Sequence, residues 1–75
     1  MKAYVLINVR GGKTREVISK VQRIEGIKSA DACWGRPDIF AFADVPNDKA
    51  LANTVLDKIL TIDGVENTDT HIVID

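Results

Sequence analysis

The chain has few of the residues that support a disulfide or a metal site. It contains one cysteine, Cys33, and one histidine, His71, among its 75 residues. A single cysteine excludes an internal disulfide, and the two side chains give no metal-ligand spacing. We therefore expect no metal and no cofactor, and a protein that resides in a reducing compartment.

Charge of one sign and long hydrophobic runs are also missing. Ten Lys and Arg residues balance eleven Asp and Glu residues, for a formal net charge of -1. This balance does not provide the basic field needed for unaided binding to a phosphate backbone. The first apolar run begins at Ala3, which fits no cleavable signal, and no run approaches the ~20 residues of a membrane helix. We expect a cytoplasmic protein with no direct nucleic-acid partner and no membrane partner.

A repeated stretch predicts the organisation of the chain. The segment 24–31 (IEGIKSAD) returns 38 positions later as 62–69 (IDGVENTD). Each copy ends a segment of helical periodicity and opens an alternating one. The length allows one small domain, residues 1–75. We interpret it as one unit of strand, helix and return strand used twice.

Periodicity and turn residues predict six elements. Strands are expected at 3–9, 27–34, 39–45 and 65–74, where apolar residues alternate or run together. Thr14 is predicted to cap a first helix that ends at Gly26, and Asn47 to cap a second helix that ends at Gly64. The apolar stripes of the two helices are Val17, Ile18, Val21 and Ile24, then Leu51, Val55, Leu56, Ile59 and Ile62.

This βαββαβ order predicts an α+β fold with a ferredoxin-like sandwich. The long helical crossovers make parallel neighbours with another strand slotted between them, so the four-stranded sheet is antiparallel and carries both helices on one face. The other face is left uncovered. The pattern does not indicate which face meets the helices.

The uncovered face predicts an oligomer, because neither face of the first and third strands is polar. A second copy of the chain is the simplest partner that could bury such a face, and a homodimer would enlarge a small core. A tolerated apolar surface is the alternative. The residues expected at the interface are Tyr4, Leu6, Trp34, Phe40 and Phe42.

The sequence contains few arrangements of residues that are typical of a catalytic site. Asp69 and His71 share one face of the last strand, but the sequence places no nucleophile beside them. The run 11–14 (GGKT) lacks the full spacing of a phosphate loop and is interpreted as a turn between a strand and a helix. We do not expect an enzyme.

A small-molecule site is predicted where the hairpin turn meets the last strand. Gly35 and Pro37 shape the turn, and Asp38 projects a carboxylate from it. Thr68 and Thr70 add hydroxyls from the last strand. A carboxylate binds an ammonium group, while hydroxyls and backbone N–H groups bind a carboxylate, so these residues suit a free amino acid. Hydrogen bonding of Asp38 within its own turn is the structural alternative.

Four stretches of the sequence resemble the C-terminal effector domain of the Lrp/AsnC family, also called the RAM domain, and they follow one another in the order found in that domain. These are 3–9 (AYVLINV), 25–27 (EGI), 35–39 (GRPDI) and 65–73 (VENTDTHIV). The resemblance implies a ferredoxin-like dimeric α+β barrel, dimers across the open sheets, and rings of eight or ten chains. It also implies small amino acids bound between dimers. The implied effector-binding positions are Gly35, Arg36, Asp38, Thr68 and Thr70.

Because the sequence starts directly with its first strand, we expect the protein to depart from that family in lacking the N-terminal DNA-binding domain. We therefore expect a stand-alone module that binds an amino-acid effector and modulates transcription of amino acid metabolism, and that can co-assemble with a full-length Lrp/AsnC-type regulator. A ligand-free adapter that joins such regulators is the first alternative. A small dimeric α+β barrel enzyme is the second.

Overall fold

The computed structural model describes residues 1–75, and its elements follow the expected order. Strands and helices alternate as two βαβ units. The second helix continues without a break into a wider π-helical segment. Neither helix has the length and apolar composition required to cross a membrane. The elements are β1 (Lys2–Val9), α1 (Thr14–Val21), β2 (Ile27–Ala32), β3 (Ile39–Asp44), α2 (Asp48–Asn53) with its π-helical continuation (Thr54–Ile59), and β4 (Val65–Ile72).

The four strands form one antiparallel sheet in the order β2-β3-β1-β4. β1 and β3 are central, and Tyr4 of β1 lies opposite Phe42 on one side and His71 on the other. β3 lies between the parallel strands β1 and β2, and β1 lies between β3 and β4. The predicted ferredoxin-like βαββαβ sandwich is therefore confirmed.

The structure resolves which sheet face meets the helices. The inward residues of the two central strands are fully buried against α1 and α2. Three of them are alanines, which leave room for branched helix side chains such as Val17 and Val21 to approach the sheet. The bulkier aromatic residues of these strands point to the other side. The inward set is Ala3, Val5, Ile7, Val9, Ile39, Ala41 and Ala43.

The sequence repeat has a counterpart in the backbone. After each helix, two N–H groups that lie three residues apart each donate to the carbonyl three residues earlier. The bonded residues are Val21, Ile24 and Ile27 in the first unit and Ile59, Ile62 and Val65 in the second. Each turn then contains a glycine with positive φ, Gly26 at 95° and Gly64 at 104°. The two glycines therefore lie in the turns before β2 and β4, five residues beyond the last helical residue, rather than directly at the helix ends.

The two helix starts differ. Asn47 caps α2 as predicted, because its side-chain oxygen accepts a hydrogen bond from the N–H of Ala50 at 2.9 Å. The predicted cap by Thr14 is wrong. Lys13 occupies the cap position of α1 without a side-chain bond, and its carbonyl already accepts the first helical bond, from Val17. Thr14 is consequently the first residue inside the helix.

The predicted ends of two strands were also wrong, and so was the predicted orientation of one helix side chain. β2 ends at Ala32 rather than Trp34, since the hairpin turn begins where Cys33 donates to the carbonyl of Asp38. β4 ends at Ile72 rather than Ile74. Leu56 was expected inward but is 58% exposed. The wide π-helical turn, closed by a bond from Leu60 to Val55, breaks the 3.6-residue periodicity on which that expectation depended.

Candidate functional site

The hairpin turn between β2 and β3 is held against the end of β1. The N–H of Asp38 donates to the carbonyl of Ile7 at 3.0 Å, and the N–H of Cys33 donates to the carbonyl of Asp38 at 2.7 Å. Gly35 adopts a φ of 97°, which suits glycine and lets the chain reverse. These bonds fix the position of the turn relative to the central strands.

Asp38 has one engaged and one free carboxylate oxygen. Its Oδ2 accepts a hydrogen bond from the N–H of Val9 at 2.8 Å, and its side chain is only 19% exposed. Its Oδ1 takes part in no hydrogen bond within the chain. Asp38 thus has the structural role weighed as an alternative above, and it retains one oxygen that can accept a further bond.

Arg36 connects the turn to both central and edge strands. Its guanidinium donates to the carbonyl of Val9 at 3.2 Å and to the carboxylate of Glu66 at 2.7 Å. It also lies 3.5 Å from Asp38. The hydrogen bond with Glu66 raises the pKa of Arg36 above its ordinary value, desolvation opposes this, and the charges of Asp38 and Glu66 add to the increase. Arg36 stays charged and is committed to contacts within the chain.

Part of the predicted site forms one cleft. This cleft, which we call the turn cleft, has a volume of about 360 Å³ and lies between the hairpin turn and the start of α1. It contains Gly35 and Asp38, two of the five predicted effector-binding residues. Its lining is Thr14, Arg15, Ala32, Cys33, Trp34, Gly35 and Asp38.

Thr70 lies in a different cleft. This second cleft, which we call the edge cleft, has a volume of about 340 Å³ and lies between α2 and the edge strand β4. Its lining is Asp48, Leu51, Ala52, Val55, Leu56, Thr70 and Ile72. Arg36 and Thr68 line neither cleft, and Thr68 is half-buried opposite Ile7. A third cleft, of about 390 Å³, contains none of the predicted residues.

The internal repeat explains this division. A shift of 38 positions carries Thr14 onto Ala52 and Ala32 onto Thr70, so the turn cleft and the edge cleft occupy equivalent places in the two units. Their linings have diverged, since one contains Arg15 and Asp38 while the other is mostly apolar. The five predicted residues do not converge within one chain.

The uncovered sheet face is apolar at its centre. Tyr4 and Phe40 are 50% and 42% exposed, and Leu6 and Phe42 are partly exposed beside them. The rings of Tyr4 and Phe42 pack with centroids 5.1 Å apart. Trp34, the fifth predicted interface residue, is fully exposed and lies in the turn instead of on this face. Four of the five residues therefore form one surface.

The Asp69–His71 pair forms on the same open face. His71 Nε2 lies 3.3 Å from Asp69 Oδ2, and both side chains are exposed. No cluster of three or more His, Cys, Asp and Glu residues is arranged to hold a metal ion. The pair is a surface contact beside Tyr4 in the register of the sheet.

Comparison with known proteins gives a consistent family match. The model of the "Lrp/AsnC ligand binding domain" family matches residues 2–75. The HTH-type transcriptional regulator FL11 of Pyrococcus abyssi is 38% identical over 74 residues, which are 99% of this chain and 48% of that protein. The chain thus spans about half the length of the curated relatives it matches.

Solved structures agree on the fold. TTHA0845 from Thermus thermophilus superposes with a TM-score of 0.94 at 24% identity, covering 99% of this chain and 92% of the other. The transcriptional regulator NMB0573 from Neisseria meningitidis, solved as a complex with L-Met, superposes with a TM-score of 0.86 at 24% identity. That match covers 99% of this chain and 49% of the regulator.

Proposed function

Because the chain belongs to the Lrp/AsnC ligand-binding domain family, we propose that it is an amino-acid-binding, oligomeric module that modulates transcriptional regulation of amino acid metabolism. The observation that supports this most directly is the turn cleft, which is lined by Asp38, a residue with one carboxylate oxygen that has no hydrogen-bond partner within the chain. A cleft of about 360 Å³ is at the lower end of small-ligand sites, which suits an amino acid.

The positions proposed for the effector remain Gly35, Arg36, Asp38, Thr68 and Thr70, and four of them are assigned distinct roles. Asp38 binds the ammonium group of the effector, and Gly35 allows close approach of the backbone. Arg36 holds the turn through Glu66 and Val9. Thr70 belongs to the edge cleft, so its hydroxyl reaches the effector from a neighbouring copy of the chain. The L-Met complex of NMB0573 motivates the ligand class in this proposal.

The proposed assembly uses the uncovered sheet face. Tyr4, Leu6, Phe40 and Phe42 would be buried against the same residues of a second copy, in a two-fold arrangement. Trp34 projects from the turn and would contact the next dimer. The same face would accept the equivalent domain of a longer Lrp/AsnC-type regulator, since the curated relatives are about twice as long as this chain.

The direct test measures thermal unfolding of the purified protein against each of the twenty amino acids at millimolar concentration. A ligand at 100 times its dissociation constant adds about 2.7 kcal/mol to the free energy of unfolding. We expect a selective increase in the melting temperature. An oligomer that shows no shift with any amino acid contradicts the sensing role.

Substitution of Asp38 localises the site. Asp38→Asn keeps an oxygen for the Val9 N–H but removes the negative charge, so we expect effector affinity to fall about tenfold or more with little loss of stability. Asp57→Asn is the matched control, because Asp57 is exposed on the π-helical continuation of α2 and lines none of the clefts. Equal affinities for the two variants would place the effector elsewhere.

A ligand-free adapter is the second candidate. It is favoured by the internal contacts of the turn. The bonds of Asp38 to β1 and of Arg36 to β4 would stabilise the turn even if no ligand bound there. The adapter predicts a flat amino-acid panel together with an intact oligomer and binding to a full-length regulator. The two measurements above separate it from the sensor.

A further inference from the structure

The cations around the turn cleft are not equivalent. Arg10 and Lys13 each lie 3.4 Å from Asp63, and Arg36 donates to Glu66 at 2.7 Å. The side chain of Arg15, in the first turn of α1, forms no ion pair and no hydrogen bond within the chain. Its side chain lines the turn cleft and is exposed. It is therefore the one cation of the turn cleft, and its side chain has no partner within the chain.

The charges inside the cleft match a zwitterion. Among the lining residues, Arg15 is the only cation and Asp38 the only anion. Arg36, although adjacent in sequence to the turn glycine, does not line the cleft. A ligand with one positive and one negative group could therefore pair with both lining charges at once.

We propose that Arg15 binds the α-carboxylate of the amino-acid effector while Asp38 Oδ1 accepts a hydrogen bond from its α-ammonium group. This rests on the proposed function and assigns a residue outside the set that the sequence indicated. Oδ1 is the available oxygen of Asp38, since Oδ2 is bonded to the Val9 N–H. A guanidinium suits the other end, because its parallel N–H donors match the two oxygens of a carboxylate.

The remaining wall of the cleft indicates the class of side chain. Ala32, Cys33 and Trp34 supply apolar or weakly polar surface, and the indole of Trp34 is fully exposed. No third charged residue lines the cleft, so a charged ligand side chain would have no partner there. The effector is accordingly an α-amino acid with an uncharged, mainly apolar side chain.

The test compares free amino acids with their α-carboxamides, which keep the ammonium group and lack the negative charge. Binding is measured by calorimetry for the wild-type protein, Arg15→Ala and Arg15→Lys, using the acid that gives the largest thermal shift and its amide. We expect Arg15→Ala to weaken binding of the acid about tenfold or more and to change binding of the amide less than about threefold. Arg15→Lys keeps the charge without the fork and should lose less.

Arg23→Ala is the matched control, since Arg23 is exposed, unpaired and outside every cleft. It should bind both ligands as the wild type does. If the wild-type protein binds an amino acid but Arg15→Ala weakens the acid and the amide equally, or weakens neither, the assignment of Arg15 is wrong and the sensing function stands. If the wild-type protein binds none of the twenty amino acids, both proposals are overturned.

Discussion

The cost of replacing a glycine differs from one position to another in this fold. Gly64 and Gly35 both have positive φ, 104° and 97°, but their surroundings differ. A Cβ on Gly64 would lie 2.8 Å from Lys13 Cβ and 3.2 Å from Val17 Cγ2. A Cβ on Gly35 would meet nothing within 4 Å. The backbone penalty is shared, whereas the steric penalty belongs to Gly64 alone.

We therefore expect Gly64→Ala to lower the free energy of unfolding by about 1–3 kcal/mol more than Gly35→Ala, because β4 would have to move away from α1. Urea denaturation of both variants measures this difference, provided that the slopes with denaturant agree. Equal midpoints would mean that the turn before β4 moves away from α1 without a loss in the free energy of unfolding.

Asp63 gives a pH dependence at the same scale. Hydrogen bonds from Arg10, then from Lys13, and the charges of both cations hold the pKa of Asp63 below its usual value of 3.8. A carboxyl with a lowered folded-state pKa contributes stability above its unfolded pKa, and this is lost as the pH falls through the folded value. We expect Asp63→Asn to melt slightly below the wild type at pH 7. The two melting temperatures should converge as the pH falls below 3.8 and through the folded-state pKa.

High salt is the control for this cluster of three side chains, because Asp63 and Arg10 are exposed and Lys13 is partly exposed, so that salt screens their charges. The difference at pH 7 should shrink in 1 M NaCl, where the Debye length is about 3 Å. A difference that persists at low pH and in high salt would show that Asp63 acts through something other than its charge.

At the scale of the elements, the two helix starts offer a matched comparison. Asn47 accepts a hydrogen bond from Ala50 at the start of α2, while Thr14 makes no capping bond at the start of α1. Asn47→Ala should cost about 1 kcal/mol of stability, and Thr14→Ala should cost little, since alanine favours a helix interior. Chemical denaturation of both variants measures the costs. A larger cost for Thr14→Ala would contradict the observed cap assignment.

The same two helices mark how far the sequence determines local structure. The order of the elements followed from periodicity and glycine placement, because each glycine turn interrupts a helical pattern and precedes an alternating one. Leu56 was misplaced because a π-helical turn shifts the angular position of the residues that follow, and the sequence carries no signal for it. Thr14 was misplaced because a favourable capping residue does not determine the position at which the helix begins.

At the scale of the molecule, the arrangement of the candidate site was harder to predict than the fold. Asp38 and Gly35, proposed from the turn, line the turn cleft, whereas Thr70 lines the equivalent cleft of the other unit. Proximity across a sheet depends on register and on strand order, which a short motif does not encode. The position of Arg15 in the turn cleft, and the pairing of Arg10, Lys13 and Arg36 with other residues, are properties of the folded structure that the sequence pattern does not encode.

The exposed aromatic face of the sheet is expected to hold the oligomer together. One row across the sheet reads Asp31, Phe40, Leu6 and Asp69, so two acids flank an apolar centre. In a dimer across this face, Phe40→Asp would bury an unpaired carboxylate between like charges, a cost of several kcal/mol. We expect Phe40→Asp and Phe42→Asp each to lower the native mass in light scattering, toward the 8.2 kDa chain if no other contact holds.

Folding of the variants should survive, because these side chains lie on the open face while the core is on the other side of the sheet. Circular dichroism distinguishes loss of assembly from loss of structure. Lys49→Asp is the control, since Lys49 is exposed on the helical side and lines none of the clefts. If both phenylalanine variants keep the wild-type mass, the sheet face is not the interface. The apolar edge cleft of Leu56 and Ile72 then becomes the surface through which copies associate.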